Sequence, residues 1–171
     1  MAAALIAASS LPAGRAAAQG GFATGSTSGN AFGAAGQIAI TGELEGHLHN
    51  GWELRLHPAA DYFIVNNVSV GGAIGLQYDS GNPSTTIVDI GARVGFNLNI
   101  VDRVGFWPTA GIFYVHVSGR PATNSTAFRV FAPFLFHIVP HLFVGLGPSF
   151  GLDLGGGGNS YGIDSVVGGW F

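Results

Sequence analysis

In the stretch TIVDIGARVGFNLN, Thr86 to Asn99, apolar residues alternate with small, polar or charged ones from Val88 onward. Val88, Ile90, Ala92, Val94, Phe96 and Leu98 are apolar, whereas Asp89, Gly91, Arg93, Gly95, Asn97 and Asn99 between them are small, polar or charged. A strand sends successive side chains to opposite faces, so this segment is apolar on one side and carries an Asp and an Arg on the other. In a soluble sheet the apolar face would meet a core and the charges bulk water. In a membrane barrel the apolar face meets lipid, the charges turn inward, and each strand runs ~9–11 residues, against ~5–6 in ordinary sheets. The length of the alternation favours the barrel.

Composition points the same way. Of 171 residues, 47% are hydrophobic and only 9% charged, where soluble domains average ~25% charged. After the N-terminus no uninterrupted apolar run is long enough for a transmembrane helix; Phe131 to Gly147, the most apolar segment, is broken by Pro133, His137, Pro140 and His141. With no cysteine, disulfides and thiolate metal sites are excluded. All six basic residues are Arg, too few for a basic patch, so nucleic acid is not an expected partner. The 29 glycines occur inside strand-like segments as well as loops, and on the inward face of a tight barrel they would leave room for larger neighbours.

Residues 1–18 resemble a secretory signal: Ala2 to Ala8 is a short apolar stretch and Ala16-Ala17-Ala18 a small-residue cleavage site before Gln19, although the basic segment that should precede the apolar part is missing. Residues 19–35 are Gly, Ser, Thr and Ala with few bulky members and are expected to form a flexible lead-in. From 36 to 171 the alternation predicts eight strands: 37–46, 52–64, 68–78, 86–99, 104–117, 128–136, 142–152 and 163–171. Short links at 65–67, 99–103 and 137–141 alternate with longer Gly/Ser/Asn-rich ones at 79–85, 118–126 and 153–162; the link at 47–51 is an exception. Ile64-Val65, Ile100-Val101 and Ile138-Val139 each precede a short link, a weak repeat whose period equals two strands and two turns.

The segments YFIVNNVSVGG (Tyr62 to Gly72) and LFVGLGPSFG (Leu142 to Gly151), with terminal Phe171, resemble the small eight-stranded outer-membrane β-barrels of Gram-negative bacteria, the OmpA transmembrane domain and the OmpX and OmpW-like groups. The resemblance implies an antiparallel up-and-down transmembrane barrel without cofactor, in contact with outer-membrane lipid and lipopolysaccharide. It also implies a last strand read by the barrel-assembly machinery, onto which Ile163, Val167 and Phe171 map; Gly169 departs where a bulky residue is usual. A structural or surface-interaction role with an unspecified extracellular ligand follows, rather than an enzyme. The rivals are a small-solute channel, a lipid A-modifying enzyme and a soluble barrel of lipocalin type, apolar inside.

An Arg facing lipid at the midplane costs ~2–4 kcal/mol, so the strand charges must point inward or lie near an interface. An eight-stranded barrel is only wide enough for its own side chains. Arg55, Arg93 and Arg129 are therefore expected to pair with Glu43, Glu53 and Asp89 in a buried plug. Trp52, Tyr62, Tyr78, Tyr114 and Trp170 are expected in aromatic girdles at the membrane interfaces; Trp107, on a strand with aromatics on both faces, fits ordinary packing equally well. His47 and His49, with Glu45, lack a further defined ligand and are read as solvated, not as a metal site. His116-Val117-Ser118 is similar to the H-x-S motif of outer-membrane lipid A deacylases, but Gly119 stands where that family has Asn, and no acid is placed to orient His116, so the segment is read as a polar strand end.

Overall fold

The computed structural model describes residues 31–48, 52–80, 84–118, 122–156 and 158–171, and the side chains of all of these except 44–48 and 52–54. Eight strands close into an antiparallel barrel: β1 (Ile38–Leu48), β2 (Trp52–Val65), β3 (Val68–Asp79), β4 (Thr85–Phe96, continued by Leu98–Val101), β5 (Val104–Phe106 and Thr109–Ser118), β6 (Thr123–Phe131 and Phe134–Val139), β7 (Leu142–Asp153) and β8 (Gly158–Trp170). Each strand pairs with the next, and β8 returns to β1 through Ala39 opposite Trp170 and Gly42 opposite Val167. Among the described residues each of the eight strands thus has a neighbouring strand on both sides, which is the condition for putting a sheet into lipid.

Three strands are interrupted, each for a local reason. Pro108 and Pro133 have no N–H for the ladder. At those breaks Phe96 N donates to Pro108 O at 3.0 Å and Trp107 N to Pro133 O at 3.1 Å, so the wall stays continuous across neighbouring strands. At Asn97 the backbone N–H leaves the ladder and donates to Asn67 O at 2.7 Å. Asn66-Asn67, Asp102-Arg103 and Pro140-His141 are two-residue turns at one end of the barrel, and Asn67 takes a left-handed φ of 67°, a region Asn tolerates.

Orientation follows the alternation. Ile90 and Val94 are each 57% exposed on the outside, while Asp89 and Arg93 retain 6% and 8% inside. Ile74, Ile112, Phe134 and Leu146 extend the same apolar belt around the wall. The lipocalin-like arrangement is thereby overturned, since the oily face is the outer one.

Two sequence expectations are corrected. Residues 31–35 are not part of a flexible lead-in: Phe32 inserts into the barrel at the short-turn end and is 3% exposed. Asn97 Nδ2 and Asn99 Nδ2 donate to its carbonyl at 3.0 and 3.2 Å, and Gln37 Oε1 accepts from Gly33 N at 2.8 Å. An isolated Gly/Ala-rich segment cannot bury enough surface to order itself, but one aromatic ring in a preformed socket can. Residues 1–30, including the expected signal, lie outside the described residues. Trp170 is not in a girdle. Its position on β8 has the same parity as Val166, so its ring points inward and is 4% exposed.

Candidate functional site

The interior is built in layers, and β-strand parity chooses their members. Nearest the short turns, Phe32, Phe63, Trp107, Leu135, Phe143, Val166 and Trp170 form an apolar cluster. Phe32 is its hub, with ring centroids 5.1 Å from Phe63, 5.2 Å from Trp107, 5.2 Å from Phe143 and 5.3 Å from Trp170. Edge-to-face contacts of this kind add ~0.5–1.5 kcal/mol per pair beyond the area buried.

The next layer is ionic. Arg93 on β4 meets Asp61 on β2 through Nε, at 3.1 and 3.2 Å from the two carboxylate oxygens, and through Nη2, which also donates to Thr41 Oγ1 at 3.1 Å. Their side chains are 7% and 0% exposed. Arg93 lies 5.7 Å from the Trp107 ring centroid, joining the two layers. Farther toward the longer loops, Arg129 on β6 grips Asp89 on β4 with both terminal nitrogens, at 2.9 and 3.2 Å, over the face of Phe113. His57 bridges Asp89 at 3.1 Å and Glu43 at 3.5 Å.

Glycine makes this possible. Along one register row Asp61 stands opposite Gly71, Gly71 opposite Arg93, Arg93 opposite Gly111, Gly111 opposite Arg129 and Arg129 opposite Gly151. Charged side chains and glycines thus alternate from strand to strand. A Cβ on Gly71 would overlap the Asp61 carboxylate, and one on Gly75 would overlap that of Asp89. The missing side chains are the space in which the ion pairs meet.

Of the expected network, Arg93, Arg129, Asp89, Glu43 and Arg55 all face the interior, and Arg129 pairs with Asp89 within the expected set, while Arg93 and Glu43 take other partners. Arg93 takes Asp61, Glu43 faces His57, and Arg55 donates to Gln77 Oε1 at 3.0 and 3.2 Å. The Glu53, Trp52, His47, His49 and Glu45 side chains lie outside those described. Asp61 was missed because Pro58 obscures the alternation of β2, yet counting in twos from His57 through Ala59 reaches it. Tyr62, Tyr78 and Tyr114 face outward, as do Ile163, Val167 and Phe171. His116 Nδ1 lies 2.6 Å from Asn124 Oδ1, an amide where a deacylase triad needs a carboxylate.

Beyond the ion pairs, toward the longer loops, lies a cavity of about 440 Å³ lined by Glu43, Arg55, His57, Gln77, Asp89, Arg129, Phe131, Ser149, Ser160 and Asp164 among others. The inward-facing positions 160 and 162 on its wall keep solvent exposure, so it opens at that end. The interior is a cup: polar and accessible at the loop end, filled with rings at the other.

The class defined by these features is the small eight-stranded transmembrane β-barrel. Among solved structures the chain is similar to the N-terminal β-barrel domain of OprF from Pseudomonas aeruginosa, with 14% identity and a TM-score of 0.59 over 80% of this chain and 98% of that one. It is also similar to Neisserial surface protein A, NspA (14%, TM-score 0.53, 78% and 93%), and to the outer membrane protein Ail of Yersinia pestis (13%, TM-score 0.53, 80% and 99%). What is shared at these identities is the fold. No family model and no curated protein matches the chain.

Proposed function

We propose that this chain is an integral outer-membrane protein of a Gram-negative bacterium, in a structural or surface-interaction role, with a lumen closed to solutes and its longer loops displayed outside the cell. The carrying observation is the pair of stacked layers across the bore, the Phe32 cluster and the buried Arg93–Asp61 pair. An aqueous path would have to separate five rings and pull apart a buried, hydrogen-bonded ion pair, against a bore that side chains already fill. The apolar belt supports contact with membrane lipid and the lipid portion of lipopolysaccharide, and the outward Ile163, Val167 and Phe171 suit recognition by the barrel-assembly machinery. Planar-bilayer recording of the purified protein tests the closure. The expected trace has no stable large unitary conductance; a sustained one overturns the closed-lumen reading.

A further inference from the structure

The cup has two unlike walls. On one side Arg129 is clamped by Asp89, and Arg55 is held by Gln77. On the other, β7 and β8 present Ser149, Ser160 and Asp164, none of whose side chains makes a hydrogen bond or ion pair to another described residue. The glycines at 147, 151 and 162 alternate with them along those two strands, and this is why the cavity lies against that wall. A row of hydroxyls and a carboxylate thus faces open space, across from guanidinium and amide groups whose geometry is fixed by their own partners.

The charge of the lining selects the ligand. Arg93 is neutralised by Asp61 and Arg129 by Asp89, which leaves Arg55 against Glu43 and Asp164, so the lining offers no surplus positive charge to an anion. Arg129 and Arg93 already have carboxylates on their forks, so neither offers an unshared fork to a phosphate or a carboxylate. A bare cation fits no better, because no cluster of metal-ligating side chains occurs among the described residues. What suits a pocket with no surplus positive charge, no metal-ligating cluster and unshared hydroxyl and carboxylate oxygens is an uncharged molecule carrying many groups that both donate and accept. Phe131, facing the cavity from the floor, adds an apolar surface for C–H groups. The volume falls within the ~300–1,000 Å³ of small-molecule sites.

We propose that this cup binds a neutral saccharide of mono- or disaccharide size, held by Ser149, Ser160 and Asp164 on one wall and Gln77 and Arg55 on the other. The proposal rests on the closed-base reading above, since a sealed floor makes the cup a binding site and not a stage in a passage.

The test uses the full chain in a detergent or nanodisc free of sugar headgroups, with saturation-transfer NMR and calorimetry. Maltose and trehalose are the neutral probes, glucose 6-phosphate the anionic one and glucosamine the cationic one. Saturable binding of a neutral disaccharide, at least tenfold tighter than of either charged probe, is expected. Ser149→Val/Ser160→Val should weaken it tenfold or more, and Gly162→Leu, which fills the space beside Ser149, should abolish it. Both variants should keep the heat-dependent gel shift of a folded barrel; if one does not, Asp164→Leu takes its place. Absence of saturable binding by folded wild-type protein overturns the proposal, as does binding that ignores these variants or preference for a charged probe. A conducting barrel that still binds maltose refutes only the closed base. A silent barrel that ignores every neutral probe refutes only the saccharide site.

Discussion

Asp61 and Arg93 are the residues on which the interior most depends. Both are shielded from water, and the carboxylate is 0% exposed. Removing one partner of a buried pair leaves an uncompensated charge and typically costs ~3–5 kcal/mol, whereas replacing both by apolar groups of similar volume is often neutral. Asp61→Ala is therefore expected to lower unfolding stability in urea by about 3–5 kcal/mol. Asp61→Leu/Arg93→Met should recover most of that loss. A double variant no better than the single one would show that Arg93's hydrogen bond to Thr41, and not the stranded charge, sets the cost. The pairing was only half legible in advance. Arg93 is inward by parity within an unbroken alternation, but its partner lies on a strand interrupted by Pro58 and reaches it across the gap left by Gly71.

At the scale of elements, the segment before β1 behaves as a peptide ligand of the barrel's own base. Phe32 supplies the ring, and Asn97, Asn99 and Gln37 hold its backbone. Phe32→Ala should cost about 3–5 kcal/mol, as buried Phe truncations do. Its signature is optical: in a Trp52→Phe background, emission from Trp107 and Trp170 should resist acrylamide, and Phe32→Ala should expose it to the quencher. Equal quenching with and without Phe32 would mean that the rings close the base unaided. Composition could not reveal this element. Gly, Ser and Ala around one Phe look the same whether the ring is solvated or socketed, and the socket draws on β2, β5, β7 and β8 at once.

For the molecule as a whole, the outer surface carries the membrane assignment. Ile90 sits opposite Ile74 and Tyr114, inside the apolar belt. Ile90→Arg should destabilise the barrel in a bilayer by ~2–4 kcal/mol if that position is near the midplane, and much less if near an interface. Unfolding in lipid vesicles measures it, and no penalty at all would take Ile90 out of the bilayer.

What the sequence determined by itself is sidedness. A period of two is a property of each strand alone, so the lipid-facing belt, the inward charges and the strand number can be counted along the chain. Only the tertiary structure decided who meets whom inside: Arg93 with Asp61, Arg129 with Asp89, Phe32 with Phe63, Trp107, Phe143 and Trp170, and Trp170 in the lumen instead of at an interface. Those contacts depend on how far neighbouring strands are staggered when the sheet closes and on which glycines leave space at each level. Closure is a condition on all eight strands together, and no single segment encodes it.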